Sequence, residues 1–204
     1  GQKTLSVAGW FHPSRRPTNW PILFGRWDHP DHRSFFLYAN NRGWMEWGVG
    51  WSRDEYRILR EGCPLPVKTW THLAATWDGA TGELRLYCNG ELVKEDRTPA
   101  GVSILDSDAP VLIGSHNNTP GGSGSFAGGV SRLRAWDRPL GADEVRRLFG
   151  QERGEYAQMA LETDRSLIRL DAGSDKQLLL DDGILAEMDG VKITMNRPER
   201  RGGP

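Results

Sequence analysis

Turns punctuate the first two thirds of this chain so closely that only short strands fit between them. Leu84, Leu86 and Cys88 alternate with polar neighbours, and Asn89-Gly90 follows at once. Such alternation turns one face of a strand towards a core, and Asn-Gly supplies the two left-handed residues of a tight hairpin. Asn40-Asn41-Arg42-Gly43 stands in the same way between Ser34-Phe35-Phe36-Leu37-Tyr38-Ala39 and the run that starts at Trp44. Asp78-Gly79-Ala80-Thr81-Gly82 separates the alternating run 70–77 from Leu84. Further strand-like runs lie at 4–11, 111–114 and 130–136. Many short strands at this spacing predict an all-β sandwich or barrel.

A single helix is predicted over 141–149. Asp143 and Glu144 open it, Arg146 and Arg147 follow, and Val145, Leu148 and Phe149 make a short apolar stripe. That order of charges suits the helix dipole, and Gly150 suits a left-handed stop. So short a helix must pack on the sandwich to persist. Strand candidates resume at 166–170 and 177–180.

Charge excludes some partners. Lys and Arg number 26 against 27 Asp and Glu. With no basic excess, neither nucleic acid nor an anionic membrane is an expected partner. No apolar run approaches the roughly 18 residues of a membrane span. Gly1-Gln2-Lys3 runs straight into a strand pattern, so a leader is expected to have been trimmed. All nine Trp lie between Trp10 and Trp136, and neither Trp nor Phe occurs after Phe149. The shift predicts one domain over 1–158 and a C-terminal β extension, or the start of a following domain, over 159–204.

Trp70-Thr71-His72-Leu73-Ala74-Ala75-Thr76-Trp77-Asp78-Gly79 resembles a laminin G-like domain of the concanavalin A-like superfamily. The segments 82–93 and 126–136, with Pro139-Leu140 and the helix after them, resemble the same family in order and spacing. Ser6-Val7-Ala8-Gly9-Trp10-Phe11 resembles its early strand. The resemblance covers roughly 4–150 and implies a two-sheet antiparallel jelly-roll sandwich. The family often has Asp where Ser131 stands, and an acidic residue on a strand that precedes the early Trp. Those acids commonly help bind a structural calcium, so no cofactor is expected here, with that calcium as the alternative. In the tail, 176–183, 188–191 and 196–198 resemble the lead-in of bacterial proteins in which a glycoside-hydrolase-type propeller follows. An ordinary β extension packed on the sandwich is the competing expectation.

Enzyme signatures are scarce. Glucanases of this fold place carboxylates at close spacing on one strand, so that both reach one cleft. No such pattern occurs here, and Glu46, flanked by Trp44 and Trp47, lacks a partner nearby in sequence. Glu91, Glu95 and Asp96 read as a solvated edge. Asp28-His29-Pro30-Asp31-His32 has metal-ligand types but reads as a polar loop. His72 reads as structural. Pro120-Gly121-Gly122-Ser123-Gly124-Ser125 lacks the lysine of a phosphate loop. Cys63 and Cys88 are expected to be buried free thiols, with a disulfide as the alternative if their Cα atoms come within about 7 Å.

The expected function is a non-catalytic binding module for carbohydrate or polysaccharide, from a larger secreted protein that is extracellular or periplasmic. The alternatives are an ancillary fragment of a glycoside hydrolase, or a structural domain that docks on a neighbouring domain or another protein. In Trp44-Met45-Glu46-Trp47-Gly48-Val49-Gly50-Trp51, Met45, Trp47, Val49 and Trp51 share one apolar face. Trp44, Glu46, Gly48 and Gly50 share the other, where bare glycines mark close approach by a ligand or by other backbone. Trp44 and Glu46 are therefore the candidate carbohydrate-binding residues, as stacking face and hydroxyl acceptor. His32, Asn117 and Asn118 are the loop candidates.

Overall fold

The computed structural model describes residues 1–28, 32–115 and 125–166. Among the described residues, nine strands form two antiparallel sheets. β1 (Thr4–Pro13), β6 (Thr71–Asp78), β7 (Glu83–Cys88), β8 (Glu91–Arg97) and β9 (Gly128–Trp136) make a five-stranded sheet in the order β8-β7-β6-β1-β9. β2 (Ile22–Asp28), β3 (His32–Ala39), β4 (Trp44–Gly50) and β5 (Tyr56–Pro64) make a four-stranded sheet in chain order. This is the all-β two-sheet sandwich expected of the sequence, consistent with a jelly roll.

Alternation along the strands builds the core. Val7 and Phe11 of β1, Leu37 of β3, Met45, Trp47 and Val49 of β4, and Leu73, Ala75 and Trp77 of β6 all point between the sheets and are buried. Trp47 and Trp77 have no exposed surface. A buried indole N–H needs an acceptor; Trp47 donates to the Thr76 carbonyl at 3.2 Å and Trp77 to the Thr98 hydroxyl at 3.1 Å. Trp51, expected beside Trp47, lies just past the strand and is only half-buried.

The turns form where the chain calls for them. Asn89 and Gly90 both take positive φ, 49° and 84°, between β7 and β8. In the β3–β4 hairpin the Asn40 side chain accepts the N–H groups of Arg42 and Trp44. β2 and β5 escape the sequence pattern. The expected strand at 111–114 is reduced to isolated bridges, Gly25 with Leu112 and Ile22 with Ser115.

Two expectations are corrected. Cys63 and Cys88 form a disulfide rather than free thiols, with Cα atoms 6.0 Å apart. Cys63 is the last residue but one of β5 and Cys88 ends β7, so sandwich closure brings the two sheets' strand ends together and the bond ties them. The helix is also longer than expected: α1 spans Ala142–Ser166, through Gly150 and Gly154. Glu144 caps its start by accepting the Gly141 N–H at 3.0 Å while Arg138 grips both its oxygens at 3.0 and 2.8 Å. The Arg138 hydrogen bond, helped by the Gly141 N–H, holds the Glu144 carboxyl down at about 2. Packing then carries the helix past its glycines. Val145, Glu152 and Tyr156 are buried against the outer face of the five-stranded sheet. Tyr156 stacks on Trp10 at 4.0 Å, and its hydroxyl meets Ser131 at 2.6 Å. Trp10 donates its indole N–H to Glu152 at 2.7 Å, and Arg134 pairs with Glu152 at 2.7 Å. A glycine costs a helix about 1 kcal/mol, which such burial outweighs. The helix crosses residue 158 and takes in Ser166, the first residue of the strand candidate at 166–170; the rest of that candidate and the one at 177–180 lie outside the described residues.

Candidate functional site

With α1 over the five-stranded sheet, the outer face of the four-stranded sheet carries the other set of alternating residues. Phe36 and Tyr38 of β3 stack there at 4.2 Å between ring centres. Trp27 of β2 meets Phe36 edge-on at 4.4 Å. Directly across from Tyr38, in register on β4, stands Glu46. The β4–β5 ladder pairs Met45 with Cys63 and Trp47 with Leu59, so Arg60, Glu61 and Gly62 bulge opposite Glu46. A bulge re-aims side chains, and this one turns Arg60 onto the carboxylate.

Glu46 is 3% exposed, yet it is fully partnered. Tyr38 donates its hydroxyl to Oε2 at 2.7 Å, Asn40 its amide to Oε1 at 2.9 Å, and Arg60 its Nη1 to Oε2 at 3.2 Å. Burial first, and then the bond to Glu46, push the Tyr38 phenol well above its ordinary range. Tyr38 therefore stays protonated, with its hydrogen committed to Glu46 and its oxygen accepting from the Arg60 guanidinium.

Above this network lies a groove of about 270 Å³ lined by Trp20, Ile22, Trp27, Tyr38 and Arg60. Trp20 comes from the loop before β2 and is 44% exposed. Three aromatic side chains and one guanidinium thus surround a shallow open slot. A second groove, lined by Glu83, Arg85, Glu95, Asp96 and Arg97, is walled by charges that pair with one another, Arg85 with Glu83 at 2.8 Å and Arg97 with Glu83 at 3.0 Å.

The structure places the sequence candidates unequally. Glu46 lies beneath the groove and orients two of its walls, Tyr38 and Arg60; with its oxygens occupied, it does not stand as an open hydroxyl acceptor. Trp44 shares its face two residues along β4, half-buried, and is not among the residues lining the groove. Gly48 and Gly50 are bare for an internal reason. A Cβ on Gly48 would lie 2.5 Å from the Phe36 ring, and one on Gly50 would overlap the Arg33 carbonyl. The close approach they permit is the protein's own. Asn117 and Asn118 lie outside the described residues, as does the side chain of His32, whose backbone opens β3 opposite Asp28. Sequence reasoning missed Trp20, Trp27, Tyr38 and Arg60. The one available signal was Tyr38, two places from Phe36 on the face opposite Leu37.

A structural calcium fits poorly. Ser131, where the family often has Asp, spends its hydroxyl on Tyr156. Among the described residues no three His, Cys, Asp or Glu side chains converge as a metal site. Residues 29–31 of the Asp-His-Pro-Asp-His loop lie outside the described residues.

The fold defines a two-sheet antiparallel β-sandwich of jelly-roll type. Residues 1–146 match the model of the concanavalin A-like lectin/glucanases superfamily, and the chain belongs to that family. It is 27% identical over 128 residues to C-reactive protein of Oryctolagus cuniculus, covering 57% of this chain and 56% of that one. Among solved structures it resembles a heptameric SAP-like pentraxin from Limulus polyphemus, with a TM-score of 0.52, 22% identity, and 71% and 68% of the two chains covered. It also resembles Domain 4 of AbnA, a GH43 extracellular arabinanase from Geobacillus stearothermophilus, solved with arabinotriose. There the TM-score is 0.55, identity is 21%, and coverage is 72% and 66%. The chain spans about half the length of the curated relatives it matches, 56% and 40% of the first two.

Proposed function

We propose that this domain is a non-catalytic carbohydrate-binding module whose saccharide lies in the groove over the four-stranded sheet. The observation that carries the proposal is the combination of exposed Trp20 with Trp27 and Tyr38 around an open slot. Aromatic faces stack on the C–H faces of sugar rings, and few polar groups fix orientation in such sites. The arabinotriose bound by the similar AbnA domain supports the class of ligand. Glycosidic cleavage needs two carboxylates flanking one bond; among the described residues the groove lining contains none, and Glu46 lies buried below it. The disulfide supports an oxidising address, extracellular or periplasmic, for the protein that carries the domain.

Calorimetric titration with arabinotriose and a panel of oligosaccharides tests this. At least one saccharide binds, and Trp20→Ala weakens it about tenfold, the scale of one lost aromatic contact of 1–1.5 kcal/mol. Saccharide binding that ignores Trp20→Ala, or no saccharide binding at all, would overturn the assignment.

A further inference from the structure

The proposed groove is unbalanced in its hydrogen-bonding capacity, and the imbalance names a ligand class. Arg60 carries five N–H donors and no acceptor. Its Nη1 reaches Glu46 at 3.2 Å, while its side chain remains 63% exposed. The guanidinium also bonds the Tyr38 hydroxyl, and its remaining N–H groups belong to an exposed side chain that lines the groove. Among the described residues, the one acid at hand cannot compete for a ligand's hydroxyl hydrogens, because Tyr38, Asn40 and Arg60 already fill its two oxygens. Of the other lining residues, the Ile22 side chain offers nothing polar, indoles only donate, and the Tyr38 oxygen already faces Arg60. A neutral sugar hydroxyl brings both a donor and an acceptor, and its hydrogens would find almost no partner here. A carboxylate brings acceptors alone and matches the planar fork.

Glu46 strengthens this preference. Its carboxylate lies behind the guanidinium, held under the sheet surface, so it fixes the orientation of Arg60 without reaching the slot. A ligand anion on the outer edge meets the cation first and Glu46 at longer range. Pre-orienting a long side chain removes part of the ordering cost of binding.

Resting on the carbohydrate-binding proposal, we infer that the groove selects acidic saccharides that carry a carboxylate, of the hexuronate class, with Arg60 as the specificity-determining residue and Glu46 as its positioning residue. Trp20 and Trp27 hold the sugar rings, and Arg60 reads the acid.

Titration of trigalacturonate against its methyl ester and against neutral arabinotriose tests the inference. Trigalacturonate binds about tenfold or more tightly than its ester, and added salt narrows the gap. Arg60→Gln erases the preference, whereas Arg60→Lys, which keeps the charge and loses the fork, restores only part of it. Thermal melts followed by circular dichroism confirm that both variants are folded. Should Arg60→Gln not fold, the acid-to-ester ratio of the unmodified protein still decides. Equal affinity for acid and ester overturns the acid selectivity; if binding then remains sensitive to Trp20→Ala, the carbohydrate-binding assignment survives. Failure of all three saccharides to bind overturns both.

Discussion

His72 should make this domain acid-sensitive, and the structure sets the size of the effect. The residue sits on β6 opposite Trp10 of β1, 1% exposed. Its ring lies 5.3 Å from Trp10 and 5.9 Å from Phe149 of α1, and neither ring nitrogen has a hydrogen-bond partner among the described residues. Burial lowers its pKa from 6.5 to about 4, against the Glu152 carboxylate, which raises it, and with Arg134, which lowers it further. The unfolded chain takes up a proton once pH falls below 6.5, while the folded protein refuses it until about 4. Stability is therefore lost as pH falls through that window. Linkage gives a loss of about 2 kcal/mol between pH 7 and pH 5. Urea unfolding followed by tryptophan fluorescence at both pH values measures it. His72→Leu removes the titrating ring and two unpaired polar atoms, so it should be neutral or stabilising at pH 7. The wild type should lose about 2 kcal/mol more than His72→Leu between the two pH values. An equal loss in both proteins would show that the ring is solvated, or partnered, and refute the reasoning.

Two other perturbations probe the frame around the groove. Reducing the Cys63–Cys88 bond, or replacing both residues with Ala, should cost about 3 kcal/mol for a loop of this length and lower the melting temperature; an unchanged melt after confirmed thiol release would count against it. Gly48→Ala drives a methyl group into the buried Phe36 ring, 2.5 Å away. Overpacking of that kind costs about 1–3 kcal/mol, and because Phe36 stacks on Tyr38 the change should also weaken saccharide binding; an unaltered urea midpoint would show that the ring has room to move.

The legible part of the fold was the part governed by local rules. Alternation at Leu84, Leu86 and Cys88 and the left-handed demand of Asn89-Gly90 specify a hairpin with no reference to the rest of the chain, and the hairpin is there. Met45, Trp47 and Val49 announced their burial by period alone. Glu46 was singled out as well, because a carboxylate on the polar side of a Trp-rich strand is conspicuous. Its role was not legible. Whether a glutamate faces a ligand or holds its own neighbours depends on what stands opposite, and here that is Tyr38 of one strand and a bulge that carries Arg60 from another.

The sequence by itself determined the strands with clean alternation, the tight turns between them, the start of the helix and the balance of charge. Each is set by residues within a few positions of one another, where steric and capping preferences act directly. Tertiary structure decided the remainder. α1 runs on through Gly150 and Gly154 because Tyr156 and Glu152 find Trp10, Ser131 and Arg134 on distant strands. Cys63 and Cys88 bond because sandwich closure brings two strand ends within 6.0 Å. The groove exists because a loop tryptophan, a strand tyrosine and a bulged arginine converge over one sheet. No local pattern encodes such convergence; it arises only when the two sheets bury their apolar faces and fix the register of every strand at once.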